Sequence, residues 1–238
     1  MKEEATAVGG VPPQAGKSDF KKLWNNLLDY IWPQFCLGCE QEGSLLCQTC
    51  LDNIQLLPAD YQAWPENKND FVFSHCHVCL DYHQALTQDL IKNFKYQYLK
   101  ILQEPLTQIL AKKIEQLNLN QDFVITNIPL HNKKRKKRGF DQTEVLAKNL
   151  SQKINVPYYA LLTRCKNTKP QAQLERTERL NNLKQAFAAK EFDQNLVQNK
   201  TIILIDDVAT TGTTLNEAAK ALWILAPKEI IALVLAKN

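Results

Sequence analysis

One stretch constrains this chain more than any other. Residues 202–214 read Ile-Ile-Leu-Ile-Asp206-Asp207-Val-Ala-Thr210-Thr211-Gly212-Thr213-Thr214: four apolar residues, two carboxylates, then hydroxyls around a single glycine. A short, wholly apolar run of this kind fits a strand buried on both faces, as in a parallel sheet. The helical pattern of Leu215–Leu225 follows at once, making a strand–loop–helix unit. In an open parallel sheet ligands bind at the carboxyl ends of the strands, where this loop would lie. The N–H groups of a helix start, with four threonine hydroxyls, form a cradle for a phosphate. Gly212 removes a side chain where the backbone would approach the anion. Two adjacent carboxylates would repel a naked nucleotide but suit a ligand that presents hydroxyls, since an ionised carboxylate only accepts hydrogen bonds. A phosphate on one side and a vicinal diol on the other describe a ribose 5-phosphate.

The chain around this unit alternates in type. The patterns predict helices over Leu86–Leu117, Gln142–Lys153, Leu174–Ala186 and Leu215–Leu225, with strands at Asp122–Ile128, Ile202–Ile205 and Glu229–Ala236. Such alternation implies an α/β fold, a parallel sheet covered by helices on both faces. Upstream, Phe20, Leu23, Trp24, Leu27, Leu28 and Ile31 keep helical spacing until Pro33, Leu51–Pro58 reads as a short helix, and Pro58–Asp70 reads as a polar linker. Residues 1–18 lack periodicity and read as a disordered tail. Three units result: the tail (1–18), a helix plus cysteine module (19–60), and the α/β domain (61–238). Gly16-Lys17-Ser18 looks like the end of a nucleotide P-loop, but position 11 is Val where that motif needs Gly, and no strand precedes it.

Four cysteines fall as Cys36-x2-Cys39-x7-Cys47-x2-Cys50. The N-terminus has no apolar segment of the secretory kind, so a cytoplasmic, reducing setting is expected, where paired CxxC elements read as tetrahedral zinc rather than disulfides. All four corners would be thiolates, leaving no position for a reactive water, so the zinc is expected to be structural; reduced, unmetallated thiols are the alternative. Cys76 and Cys79 lie in the β-branched and aromatic run 71–82, which reads as a strand or hairpin. On a strand positions 76 and 79 face opposite ways, so inert buried thiols are expected there rather than a second metal site with His75 and His77.

The net charge of +4 comes from one place. Residues 133–138 are six consecutive bases, and without them 23 bases face 25 acids. That makes a local anion site rather than a basic surface. No apolar run approaches the roughly 18 residues of a membrane span.

Further motifs point to a family. The stretch 202–214 resembles the diphosphoribose-binding signature of the type I phosphoribosyltransferases, with Ala209 where a larger aliphatic is usual. Ile128-Pro129-Leu130-His131 and Arg138-Gly139-Phe140-Asp141-Gln142 resemble the PLH…RGFNQ stretch of the ComF competence proteins, with Asp141 in place of Asn. Thr168, Gln171–Leu174, Arg179, Asn182-Leu183 and Ala186-Phe187 are similar to the same family, and so are Leu90-Ile91-Lys92-Asn93-Phe94-Lys95-Tyr96 and the paired cysteine knuckles.

The resemblance implies a type I phosphoribosyltransferase-like parallel sheet flanked by helices, with a small N-terminal zinc-binding module. It also implies a ligand, phosphoribosyl pyrophosphate with Mg²⁺. Asp206 and Asp207 would hold the ribose hydroxyls at the reaction centre, and Thr210, Thr211, Gly212, Thr213 and Thr214 the 5-phosphate. Leu130, His131, Lys133 and Arg138 would lie along the pyrophosphate, and Asp141 would add a negative charge nearby. Cys36, Cys39, Cys47 and Cys50 would be the zinc ligands. No residue is an evident activator of an acceptor; His131 is the nearest titratable candidate, and a phosphate contact is its other reading.

Three readings compete: a transferase with an unread acceptor, a non-catalytic sensor of phosphoribosyl pyrophosphate, and a DNA-uptake protein of natural transformation. The last would grip single-stranded DNA through Lys133–Arg138 and work with a partner in the uptake machinery. It is the expectation favoured here, with catalysis left open.

Overall fold

The computed structural model describes residues 34–64, 71–96, 99–119, 122–131, 135–136, 139–165 and 186–238. The expected helix at residues 20–31 and all but the last residue of the one at Leu174–Ala186 lie outside the described residues, as do Lys133, Lys134, Lys137 and Arg138.

A four-stranded parallel sheet forms the centre, from β1 (His75–Asp81), β2 (Phe123–Asn127), β5 (Thr201–Ala209) and β6 (Glu229–Lys237). The order is β1-β6-β5-β2, with β5 and β6 inside. Side chains alternate across it, as the period of two requires. Ile203, Ile205, Ile231 and Leu233 enter one apolar cluster, and Ile202, Leu204, Ile230 and Ala232 enter the other. On the first face lie α2 (Ala85–Tyr96), α3 (Leu99–Leu117) and α4 (Gln142–Ile154), through Leu90, Phe94, Leu106 and Leu146. On the second lie α5 (Thr213–Leu222) and a two-stranded antiparallel ribbon of β3 (Leu162–Arg164) and β4 (Phe187–Ala189). The ribbon's strands are three residues each, too short to carry a sequence pattern of their own.

The cysteine module is built onto this core. Cys36, Leu45, Leu46 and Leu51 pack in the same cluster as Cys79, Leu80 and Leu90 of the first face. Its helix, α1 (Gln48–Asp52), differs from the expected Leu51–Pro58. The helix starts early because Cys47 caps it, its sulfur accepting the N–H of Cys50 at 3.4 Å. It stops early because the N–H of Leu57 donates to the Cys79 carbonyl at 2.9 Å, drawing the chain along the edge of β1.

The run 71–82 forms one parallel strand and no hairpin. Cys79 joins the first-face cluster and Cys76 packs against the second, so the opposite orientation expected of the pair holds. Among the described residues no helix is long and apolar enough to cross a membrane.

Candidate functional site

The carboxyl ends of the neighbouring strands β2 and β5 bring two motifs together. The N–H of Ile128 donates to the Ile205 carbonyl at 3.0 Å, so Pro129, Leu130 and His131 leave the sheet beside Asp206. Beyond Ala209 the chain turns through Thr210–Gly212 into α5.

That turn depends on Gly212, whose φ of 75° is left-handed. A Cβ there would meet the Phe71 ring at 2.9 Å and Trp64 at 3.2 Å. The glycine therefore makes room for an aromatic wall, a different reason from the close approach to an anion read in the sequence. Gly212 is the N-cap of α5 and offers no side-chain acceptor, so the helix start keeps its donor character toward a ligand. The Thr211 and Thr213 hydroxyls lie 2.8 Å apart across it. Trp64 closes the outside, its indole N–H donating to the Thr210 carbonyl at 3.1 Å.

The two carboxylates lie within β5, which runs on past the expected end at Ile205. Each accepts the next backbone N–H: Asp206 from Asp207 at 2.8 Å and Asp207 from Val208 at 2.6 Å. Their environments differ. Asp207 pairs with the ammonium of Lys95, at the last turn of α2, at 3.1 Å. Asp206 follows the Ile202 and Leu204 alternation toward the second face, where the Arg164 guanidinium attracts it. Burial, then the charge of Asp207, pushes the Asp206 carboxyl up to about 8, against the pull of the Asp207 N–H, Lys95 and Arg164. Asp206 is therefore poised to titrate near neutral pH, beside an Asp207 held by the Lys95 ammonium. An all-oxygen donor set of this kind suits Mg²⁺ or the hydroxyls of a sugar, and the Lys95 ammonium already stands on it as a cation.

Asp141 has a different place from the one expected. It is 4% exposed and caps α4, taking two backbone donors at once. The N–H of Leu130 reaches one oxygen at 2.7 Å and the Glu144 N–H the other at 3.3 Å; the Thr143 hydroxyl lies 2.8 Å from that second oxygen and 2.6 Å from the Ile128 carbonyl, and its one proton serves one of them at a time. Its charge is spent on tying the Leu130 segment to α4. The Leu130 N–H is thus engaged within the protein, while His131 is half-buried at the mouth. Of the basic block, the described Arg135 pairs with Glu144 at 3.2 Å and Lys136 is exposed.

The four cysteine sulfurs Cys36, Cys39, Cys47 and Cys50 all lie within 4.8 Å of one another and could hold a metal ion. Cys39 and Cys47 are 3.7 Å apart, near the roughly 3.8 Å edge of a tetrahedron with metal–sulfur bonds of about 2.3 Å. Burial raises the Cys36 thiol, but the N–H groups of Cys47 (3.3 Å) and Gly38 (3.4 Å) outweigh it and bring it to about 6. A Cβ on Gly38 would meet the Cys50 sulfur at 2.8 Å, so glycine is what lets the knuckle close. Among the described residues this is the one group of three or more such ligands; Cys76 and Cys79 are not part of another.

Three participants escaped the sequence. Lys95 reads only as part of a motif, Trp64 lies in what reads as a polar linker, and Arg164 sits on a three-residue strand. The signal that existed was the KY ending of the α2 motif.

The comparisons agree with this layout. Residues 141–238 match the phosphoribosyl transferase domain family. The chain is 25% identical over 181 residues to "Competence protein ComFC" of Bacillus subtilis, covering 74% of this chain and 71% of that one. It is 33% identical over 99 residues to "DNA utilization protein YhgH" of Escherichia coli, covering 41% of this chain and 42% of the relative. It is 30% identical over 221 residues to "Competence protein F" of Haemophilus influenzae, covering 82% of this chain and 93% of the relative. With identity at that level across nearly the whole of a relative, a parallel sheet flanked by helices and a four-cysteine cluster on its N-terminal side, the chain belongs to the ComF family of competence proteins.

Proposed function

We propose that this chain binds phosphoribosyl pyrophosphate with Mg²⁺ at the carboxyl ends of β2 and β5 and serves DNA uptake in natural transformation. The observation that carries the reading is the meeting of the two motif loops: an uncapped helix start with its threonines stands beside an acid pair, and the Leu130–His131 segment flanks the pair on the next strand. The names of the relatives, competence and DNA utilization proteins, support the cellular role.

In this reading Thr210–Thr214 take the 5-phosphate on the α5 N-terminus, where N–H donors and the helix dipole favour an anion. Asp207 and Asp206 accept from the ribose hydroxyls. His131, with Lys133 and Arg138 of the basic block, would serve the pyrophosphate, where cations would stabilise the charge of a leaving group. Magnesium bound with the ligand would supply positive charge to the pyrophosphate. Zinc is the ion that the four-cysteine cluster suits, as a closed structural site. The setting of such a protein is the cytoplasm.

Calorimetry with phosphoribosyl pyrophosphate and Mg²⁺, then a pyrophosphate-release assay with and without single-stranded DNA, separates the roles. Binding without release leaves a sensor; release that needs an acceptor leaves a transferase. For the DNA arm, Lys134, Lys136 and Lys137 replaced by Ala should flatten the salt dependence by about 0.7 log unit per lost single-strand phosphate contact. DNA binding absent at low salt in the unaltered protein removes direct DNA contact from the account.

A further inference from the structure

The Lys95–Asp207 pair has a consequence for how the site meets divalent cations. The Lys95 ammonium is 3.1 Å from Asp207 Oδ2, with the lysine side chain 22% and the aspartate side chain 15% exposed, so water screens the pair only in part. The place of the lysine is built rather than incidental. Its backbone carbonyl accepts from the side-chain amide of Gln142 at 3.2 Å, and Gln142 is itself 1% exposed and adjoins the Asp141 cap. The motif of α2, the start of α4 and the end of β5 are thereby joined at one point.

An ammonium offers up to three N–H donors and one positive charge, which is what a carboxylate pair also receives from a sugar diol accompanied by a cation. Two adjacent carboxylates without such a neighbour are a ready site for a bare divalent ion. We propose that Lys95 is the resident counter-ion of the acid pair, a positioning residue that occupies Asp207 in the unliganded protein and keeps a free divalent cation from settling there. The metal then reaches the site together with the oxygens of its ligand, whose hydroxyls take over the acceptors that the ammonium releases. The proposal rests on the reading of the acid pair as a diol site, and it names what guards that site.

The test uses the full chain and Mn²⁺ alone, followed by electron paramagnetic resonance of the free ion. Lys95→Met and Lys95→Gln should bind Mn²⁺ at one additional site at least tenfold more tightly than the unaltered protein, and Lys95→Arg should behave like the unaltered protein. Adding Asp207→Asn to Lys95→Met should abolish the gain. Equal Mn²⁺ affinity in the unaltered protein and both neutral variants, with circular dichroism showing them folded, overturns the proposal. So does a gain that persists in the double variant, because the ion is then bound elsewhere. Two neutral variants of different shape guard against one failing to fold. Calorimetry with phosphoribosyl pyrophosphate runs in parallel: no binding by the unaltered protein removes the diol reading, whereas the Mn²⁺ comparison judges Lys95 on its own.

Discussion

The indole N–H of Trp64 donates to the carbonyl oxygen of Thr210 at 3.1 Å, fixing the segment before β1 to the first residue of the threonine loop. The ring packs on Phe71 at 5.1 Å, and Phe71 stacks on Phe73 at 4.8 Å. Phe71 in turn fills the space that the absent side chain of Gly212 leaves. The loop is thus held from outside by aromatic rings.

Two substitutions probe this wall. Trp64→Phe keeps a ring but removes the donor; a hydrogen bond of about 0.5–1.5 kcal/mol is lost, and phosphoribosyl pyrophosphate should bind roughly two- to tenfold more weakly. Gly212→Ala places a Cβ against Phe71 at a left-handed φ, at a cost of about 1–3 kcal/mol for the backbone alone. Thermal denaturation and calorimetry together check both, and a Gly212→Ala protein with unchanged midpoint and affinity would show that the loop tolerates a different path.

Gly38→Ala should weaken metal binding without touching a ligand. The added methyl would lie 2.8 Å from the Cys50 sulfur, forcing one corner of the cluster outward. The purified variant should hold less zinc by elemental analysis and release it to a chelator faster. Because Cys36, Leu45 and Leu51 share the core of the first face, chelation should also lower the thermal midpoint of the whole chain. Stoichiometric zinc with unaltered release kinetics in the variant would contradict this geometry.

Asp206 makes stability depend on pH in a direction opposite to most carboxylates. Its folded-state carboxyl is raised to about 8 from an ordinary value of 3.8, so the folded protein keeps a proton that the unfolded chain has lost. The stabilisation is complete below pH 4 and disappears as pH rises toward and through about 8. Denaturant titrations in Mg²⁺-free buffer should therefore show an Asp206→Asn protein whose stability falls less between pH 5 and 8 than that of the unaltered chain. Parallel slopes would mean that Asp206 is ionised throughout.

Asp141→Asn restores the residue that the family pattern favours, yet here it should destabilise. A backbone N–H reaches each of the two carboxylate oxygens, and an amide would set its own N–H groups against one of those donors. The expected loss is about 1–3 kcal/mol, read as a lower denaturation midpoint. An unchanged midpoint would indicate that the Leu130 segment adopts a second arrangement with asparagine.

Much of the fold can be read from local pattern. The apolar runs 202–205 and 230–235 are strands buried on both faces, and the spacing of Leu90, Ile91, Phe94 and Leu102 marks a helical face, because burial and periodicity are properties of neighbouring residues. The acid pair, the threonine loop and the four cysteines were legible for the same reason: each is a contiguous or tightly spaced set. What was illegible is long-range. Lys95 meets Asp207 across more than a hundred residues, and Trp64 meets Thr210 across 146. A polar linker does not announce such a partner, and the Lys95-Tyr96 ending of the α2 motif marks a residue without naming what it meets. From sequence Asp141 reads only as a negative charge near the pyrophosphate, whereas the backbone N–H groups of Leu130 and Glu144 give it a capping role.

The central claim is that the acid pair and threonine loop form one phosphoribosyl site. Calorimetry of phosphoribosyl pyrophosphate with Mg²⁺ against the unaltered protein and the Asp206→Asn/Asp207→Asn protein tests it most directly. Above pH 8, where Asp206 too is ionised, each charge-assisted hydrogen bond is worth about 1.5–3 kcal/mol, so the account predicts binding by the unaltered protein and a loss of about a hundredfold or more in the double variant, with the fold intact by circular dichroism. Equal affinity in the two proteins would contradict it.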